Sequence, residues 1–173
     1  MNRDFPPANA FRRTTAVLAL ASGLLIAGCS APLPDVSFYG DRATIAVAPS
    51  LWCAADASAS TVDCRVNRGD ADAPRLRLGI GVAVSVNLPA RVSAAPWVVL
   101  FRYRDAAGAT QQARGPLLAA GAAGHWILRT PSLTDQLLRV EVQSGLTPVA
   151  TATGTGVDYA ALHTWVLIID PAA

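Results

Sequence analysis

The clearest pattern in the chain is a strict alternation of aliphatic with small or polar residues from Arg75 to Leu88. Every even position carries Leu, Ile or Val, and every odd position carries Arg, Gly, Ala, Ser or Asn. A period of two predicts a β-strand with one buried face and one solvated face. The run is about twice the usual strand length, so we expect Gly79 and Gly81 to mark a bend between two sheets.

A second strand is predicted at Trp97–Arg104, WVVLFRYR. Its first half is apolar on both faces and its second half alternates, which is typical of a central strand that emerges toward solvent. Asp105–Gly108 has the composition of a four-residue turn with glycine last. Residues Ala109–Arg114 are therefore expected to return antiparallel beside this strand.

The remaining apolar stretches are short and separated by turn residues. Gly40-Asp41-Arg42 predicts a tight hairpin turn. The other strand candidates are Val36–Tyr39, Ala43–Ala48, Leu51–Cys53, Val62–Val66, His125–Arg129, Leu137–Gln143 and Leu162–Ile169. Gly145–Gly156 is interpreted as a long loop, and no stretch after the N-terminal segment shows a helical period. The pattern predicts an all-β fold, a single immunoglobulin-like β-sandwich over residues 35–173.

The N-terminal segment has a different pattern, with Arg3, Arg12 and Arg13 before an uncharged run from Thr14 to Gly28. The run is too short to span a bilayer, and it ends in Ile26-Ala27-Gly28-Cys29, which resembles a bacterial lipobox. We expect residues 1–28 to be a lipoprotein signal peptide, and Cys29 to become the lipidated (palmitate-type) N-terminus after cleavage. Residues 29–34 would then form a short tether.

This interpretation predicts an exported protein held by lipid on the outer face of the cell membrane. Two or more acyl chains give a stable anchor, whereas one gives marginal binding. The alternatives are an ordinary secretory signal with a chance cysteine and an uncleaved N-terminal anchor. The Arg12-Arg13 pair leaves open whether export is general or twin-arginine. Removing three arginines and one aspartate cancels the formal charge of +2. Nucleic acid is therefore not an expected partner.

Two cysteines remain after Cys29. In an exported chain, the pair Cys53 and Cys64 is expected to form a disulfide around a small polar loop. The alternative is a metal or redox pair, but the two cysteines lack the close spacing of either kind of site and have no histidine nearby. They are also too close in sequence to be the inter-sheet disulfide of antibody domains.

Several segments together resemble a known family. They are the lipobox Cys29, the cysteine pair, Ala95-Pro96-Trp97 leading into Phe101–Asp105, Asp135–Val142 and Trp165-Val166-Leu167. The set is similar to a family of small actinobacterial lipoproteins known only as domain of unknown function 2771. The resemblance covers most of the mature chain. It supports the fold and the location, and it implies no activity, cofactor or site residues.

Catalytic chemistry finds little support in the residues. The only two histidines, His125 and His163, lie near strand starts and are interpreted as surface or edge residues. Turn chemistry explains the aspartates, among them Asp70 in an Arg-Gly-Asp tripeptide that we interpret as chance. No nucleophile elbow, phosphate loop or metal-ligand cluster is recognisable. We expect a protein that is not an enzyme and needs no metal or cofactor.

Binding is the remaining class of function. Trp97 and Trp165 are expected in the core, whereas Trp52 and Trp126 have smaller or more polar neighbours and are expected to be partly exposed. If the strands Trp97–Arg104 and Leu137–Gln143 are neighbours, their polar faces combine into an interaction surface of Arg102, Arg104, Arg139 and Glu141. The alternative is an ordinary solvated sheet face. The hypotheses are an envelope protein partner, a small apolar or glycan ligand, and, third, an enzyme.

Overall fold

The chain is almost entirely β-structure in a computed structural model that describes residues 32–56, 58, 61–150 and 157–172. The predicted signal peptide and Cys29 lie outside these residues. A one-turn helix, α1 (Ala90–Ser93), follows Pro89 and is too short to show a helical period in the sequence. The strands are β1 (Val36–Gly40), β2 (Ala43–Val47), β3 (Leu51–Asp56), β4 (Thr61–Asn67), β5 (Arg75–Leu78), β6 (Val84–Asn87), β7 (Trp97–Arg104), β8 (Thr110–Arg114), β9 (His125–Leu128), β10 (Gln136–Ala150) and β11 (Val157–Pro171).

The strands form two sheets that pack face to face. The small sheet has the order β2-β1-β6-β9, and the large sheet has the order β4-β3-β11-β10-β7-β8, with β5 added in parallel to β11. The buried side chains between them include Phe38, Val86, Trp97, Val140 and Trp165. This confirms the predicted β-sandwich, and the antiparallel pairing of β7 with β8 confirms the expected return strand.

The long alternating run divides between the sheets as predicted. Its first part is β5 in the large sheet, and its second part is β6 in the small sheet. Gly81 lies at the corner with a φ of 71°, and its N–H donates to the Asp135 carbonyl oxygen at 3.0 Å. A Cβ there would lie 2.2 Å from the Leu133 carbonyl oxygen, so the corner requires glycine. Ile80, beside it, breaks the alternation and is 63% exposed.

The two tryptophans expected in the core are both fully buried. Each indole N–H is satisfied by a main-chain oxygen, since Trp97 donates to Ala123 at 3.0 Å and Trp165 donates to Pro34 at 2.9 Å. Buried indole rings contribute a large apolar area, and a paired N–H removes the cost of burying their polar atom. Trp165 also fixes the segment that precedes β1 to the end of the sandwich.

The β1–β2 hairpin is present at the predicted turn, with a different role for its glycine. Asp41 and Arg42 are the two turn residues with positive φ, at 46° and 63°, as a type I′ turn requires. Gly40 is the last residue of β1, and a Cβ on it would lie 2.9 Å from a methyl carbon of Leu78. Close approach to the core therefore explains Gly40 better than the turn does.

The predicted loop at Gly145–Gly156 is wrong in its first part. β10 continues to Ala150 and pairs with the start of β11, so that Leu146 lies opposite Ala161 and Pro148 opposite Tyr159. This two-stranded extension, residues 146–150 with 157–161, is called the arm below. Most of its described side chains are exposed, so its sequence shows no alternation of apolar and polar residues.

A β-bulge shifts the start of β10 by one residue. The register against β7 changes between Leu137 and Arg139. Leu137 is consequently buried in the core. Leu138 is only partly buried, although plain alternation with Val140 would place it on the inner face. The alternation beyond the bulge is as predicted, with Val140 and Val142 inside.

Candidate interaction surface

The strands that carry the predicted surface are hydrogen-bonded neighbours. Arg139 of β10 lies opposite Arg102 of β7, and Glu141 lies opposite Leu100. On the other side of β7, Arg102 lies opposite Gln112 of β8. These side chains share the face of the large sheet that points away from the core, which is called the outer face below. The structure therefore brings Arg102, Arg139 and Glu141 together.

Arg139 is held by two carboxylates rather than left free. Its Nε donates to Asp70 Oδ2 at 2.8 Å, its Nη2 donates to Asp70 Oδ1 at 3.0 Å, and its Nη1 donates to Glu141. Burial opposes the charge of Arg139, but the hydrogen bonds that it donates to Asp70 and Glu141 outweigh this effect, so its pKa is raised. The hydrogen bond from Arg139 lowers the pKa of Asp70. Arg139 is thus a fixed part of the surface.

Sequence reasoning missed Asp70 as a member of this surface. It lies in a 3-10 turn, Asp70–Asp72, as its turn composition indicated, but its carboxylate also reaches across to β10. Because this carboxylate is occupied by Arg139, the Arg-Gly-Asp tripeptide does not present a free acidic group. The sequence shows an aspartate in a loop and arginines on two strands. This composition does not specify which arginine Asp70 binds.

Arg102 and Arg104 are the more available cations. The Arg102 side chain is 42% exposed, and its Nη2 lies 3.6 Å from Asp70, a long contact. Its Nε is buried with no hydrogen-bond partner among the described residues. Arg104 is exposed and lies opposite Gln136 in a separate cleft of about 340 Å³, which Ile80 and Asp105 also line. At the centre of the predicted surface, Arg139 is therefore held in ion pairs. At its edge on β7, Arg102 and Arg104 are more available to a partner.

A second cleft lies at the other end of the outer face. It has a volume of about 350 Å³ and is lined by Val98, Leu100, Arg114, Leu117, Gln143, Leu146, Asp158 and Tyr159. Val98 and Leu100 belong to β7, whereas Asp158 and Tyr159 belong to the arm. Among the described residues, Arg114 and Asp158 form no ion pair with each other. The cleft thus combines apolar side chains with three polar ones, as small-molecule sites do.

The two histidines have different environments. His125 is exposed and begins β9, as predicted. The interpretation of His163 as a surface or edge residue near a strand start is wrong. β11 begins six residues earlier and runs between β3 and β10. The His163 ring is half-buried and stacks on Trp52 with 3.9 Å between ring centroids. Burial lowers its pKa; a hydrogen bond with the Cys53 main chain opposes this, and the nearby Arg91 adds to it. His163 is therefore a packed ring whose neutral form is favoured by burial.

Trp52 and Trp126 are partly buried, as expected. Trp52 is covered by His163 on one side, and the guanidinium carbon of Arg91 lies 5.7 Å from its ring centroid. Trp126 packs against Gly115, where an added Cβ would lie 2.8 Å from the indole ring. Neither indole forms a wide exposed platform.

Cys53 and Cys64 are joined by a disulfide, which confirms the predicted pair. The two residues lie opposite each other on β3 and β4, with 3.9 Å between their Cα atoms. The bond closes a hairpin within the large sheet and does not join the two sheets. In the described part of the chain, no group of three or more His, Cys, Asp or Glu residues could hold a metal ion.

Fold and surface together define a disulfide-containing β-sandwich domain with a charged outer face. A family model described as "Protein of unknown function (DUF2771)" matches residues 30–169, and the chain belongs to this family. The match confirms the family resemblance, while an actinobacterial origin stays a prediction. Searches of curated proteins and of solved structures found no match. No helix of the described residues is long and apolar enough to cross a membrane.

Proposed function

We propose that this protein is a lipid-anchored, non-enzymatic interaction module on the outer face of the cell membrane. The sequence before Cys29 supports export and lipidation, because a basic segment and a short apolar run end in a lipobox. The single observation that carries the interaction role is the outer face of the large sheet. There a fixed ion-pair network adjoins arginines that have no strong partner in the described part of the chain.

The chemistry of this face favours an acidic protein partner. Arg139 is already neutralised by Asp70 and Glu141, so an incoming carboxylate would meet Arg102 and Arg104 instead. The Arg102 side chain is 42% exposed, so a partner carboxylate can reach its guanidinium. Leu100 lies beside it on the same face and supplies apolar contact. Arginine next to apolar area is typical of protein interfaces.

The histidine environments support a role without catalysis. A general base needs to reach the proton that it removes, usually with a carboxylate to orient it. The surroundings of His163 are Trp52, Trp165, the Cys53 main chain and Arg91, and the ring is occupied in stacking. His125 is exposed on the edge strand β9 of the small sheet.

A photo-crosslinking residue at Gln112, opposite Arg102, tests the proposal in cells. We expect a crosslinked envelope protein that is lost when Arg102 and Arg104 are both replaced by serine. The matched control replaces the exposed Arg65 and Arg129, which lie on other strands or loops, and should leave the crosslink intact. A crosslink that survives the Arg102/Arg104 change would show that these arginines do not bind the partner.

Loss of a measurable activity in His125→Ala with His163→Ala would instead support an enzyme.

A second candidate function is the binding of a small apolar or glycan ligand, and the cleft under the arm favours it. Its apolar members suit an acyl chain, whereas Tyr159 with Arg114, Gln143 and Asp158 suits a sugar ring. Decanoate, octyl glucoside and maltose are suitable probes. A bound probe raises the melting temperature. Tyr159→Ala should abolish that shift, and Tyr39→Ala, another exposed tyrosine, should preserve it.

A further inference from the structure

The segment that leads into the sandwich is fixed at one corner of it. The Pro34 carbonyl oxygen accepts a hydrogen bond from the buried Trp165 indole at 2.9 Å. The Pro32 carbonyl oxygen accepts a longer one from Arg91 Nη1 at 3.4 Å. The direction in which the chain enters the domain is therefore set by two side chains. The entry corner, defined as Pro32, Arg91 and Trp52, is the part of the domain nearest in chain length to Cys29.

Arg91 and Trp52 form a cation–aromatic pair at this corner. Arg91 is exposed in α1, and its guanidinium carbon lies 5.7 Å from the centroid of the Trp52 ring. Trp52 is partly exposed and rests on the His163 ring. The pair thus presents the Arg91 guanidinium with an indole edge beside it.

The length of chain outside the domain restricts what can lie against this corner. Pro32 lies three positions after Cys29, and an extended chain spans at most about 3.6 Å per residue, or about 11 Å in all. The polar headgroup layer of a bilayer is about 5–8 Å thick on each side. A lipid attached at Cys29 therefore leaves the entry corner within reach of the phosphate groups, with little room for another protein between them.

We infer that Arg91 and Trp52 are a membrane-contact site that docks the domain on phospholipid headgroups. The inference rests on the proposed lipidation of Cys29 and adds to it a fixed orientation of the sandwich. Arg91 binds lipid phosphate through its planar donors, and Trp52 lies in the interfacial layer, where an amphipathic ring has both apolar and polar surroundings. The corner of Ile80 and Arg104, at the opposite end of the strands, then points away from the membrane.

Tryptophan fluorescence of the lipidated protein in vesicles tests this site. The vesicles contain phosphatidylcholine and phosphatidylglycerol, with dibrominated phosphatidylcholine as the quencher, and mass spectrometry verifies the lipid on Cys29. We expect partial quenching that Trp52→Phe removes and Trp126→Phe retains. Arg91→Ser should lower the ratio of docked to undocked protein about fivefold, as removal of one basic residue near an anionic surface does. The exposed Arg129→Ser variant should leave the ratio unchanged.

The outcomes separate this inference from the proposal on which it depends. A chain without lipid on Cys29 overturns both. A lipidated chain whose quenching is unaffected by Trp52→Phe, or lost in Trp126→Phe instead, overturns the membrane-contact site alone. Circular dichroism and melting of each variant show whether the fold is retained. Quenching that follows Trp52 and falls in Arg91→Ser supports the site.

Discussion

Asp70 and Arg139 form two hydrogen bonds, at 2.8 and 3.0 Å, although 69 residues separate them in sequence. The pair joins the turn before β5 to the outer face of β10. The Asp70 side chain is 49% exposed and that of Arg139 is 16% exposed, so the contact lies between surface and interior. Glu141 contacts the same guanidinium, so the two carboxylates share Arg139.

Replacing Asp70 by asparagine should destabilise the fold modestly. Solvent screening at a half-exposed carboxylate limits the loss to about 1 kcal/mol, and Arg139 still keeps Glu141 as a partner. Urea denaturation at neutral pH measures it. Asp72→Asn, in the same turn and without a bond to Arg139, is the matched control and should change stability little. Equal losses in the two variants would indicate a turn effect instead of an ion pair.

The same pair should make stability fall at acid pH. The pKa of Asp70 is lowered in the folded state, so its contribution is present above the ordinary value of 3.8 and is lost as pH falls through the folded pKa. Wild-type protein should therefore lose more stability than Asp70→Asn does when the pH is lowered from 5 to about 2. Parallel urea titrations over this range measure the difference. Identical slopes would contradict the assignment.

The sandwich was predictable because its signals are local. Period-two alternation identified the strands, and glycines in the middle of a long run marked the passage from one sheet to the other. Trp97 was assigned to the core from its apolar neighbours alone. These features depend on residues within one strand length of each other, which the sequence displays directly.

The surface was predictable only in part, because it depends on which strands become neighbours. Arg102 and Arg139 were recognised as polar positions, and pairing of β7 with β10 brought them together. Asp70 could not be assigned, since a turn residue and a long-range ion-pair partner have the same appearance in sequence. The stacking of His163 on Trp52 follows from pairing of β11 with β3, which no local pattern specifies.

Alanine at Gly81 should be strongly destabilising. The residue has a positive φ, and the new Cβ would lie 2.2 Å from the Leu133 carbonyl oxygen, so the main chain must move. We expect a loss of more than about 2 kcal/mol, compared with about 1 kcal/mol for left-handed strain alone. Gly108→Ala, with a φ of 85° and, apart from its chain neighbours, no described residue within 4 Å of the added Cβ, is the control for strain alone. Thermal and urea denaturation compare the two, and equal losses would show that close approach adds nothing.

Removing the disulfide should cost stability without changing the fold. Cys53 and Cys64 close a short hairpin loop, for which chain entropy gives about 3 kcal/mol or slightly less. The Cys53→Ala, Cys64→Ala double variant should match reduced wild-type protein in urea denaturation. Intact mass after alkylation, with and without reduction, establishes the bond in protein recovered from the envelope. Two freely alkylated thiols before reduction would show that the bond does not form there.

Replacement of Cys29 by serine should abolish lipidation and processing. A thiol is required for attachment of the lipid, and the lipobox resemblance places it at this residue. Wild-type protein should enter the detergent-rich phase in a phase separation, and the variant should not. Cys53→Ala with Cys64→Ala provides a control that loses thiols but keeps Cys29. Wild-type protein found in the aqueous phase would refute the anchor.

His163 should act on stability through protonation of the unfolded chain. Burial lowers its pKa in the folded state below the ordinary value of 6.5, so the unfolded chain binds a proton more readily. The packing of the neutral ring therefore contributes fully above pH 6.5, and stability falls as pH decreases through this value toward the folded pKa. His163→Phe keeps an aromatic ring against Trp52 and should remove this part of the pH dependence, whereas His125→Phe should retain it. Urea titrations between pH 5 and 8 decide the matter. A pH dependence that follows His125 would show that the ring beside Trp52 is not the group that titrates, and a pH-dependent activity lost in His163→Phe would favour an enzyme over an interaction module.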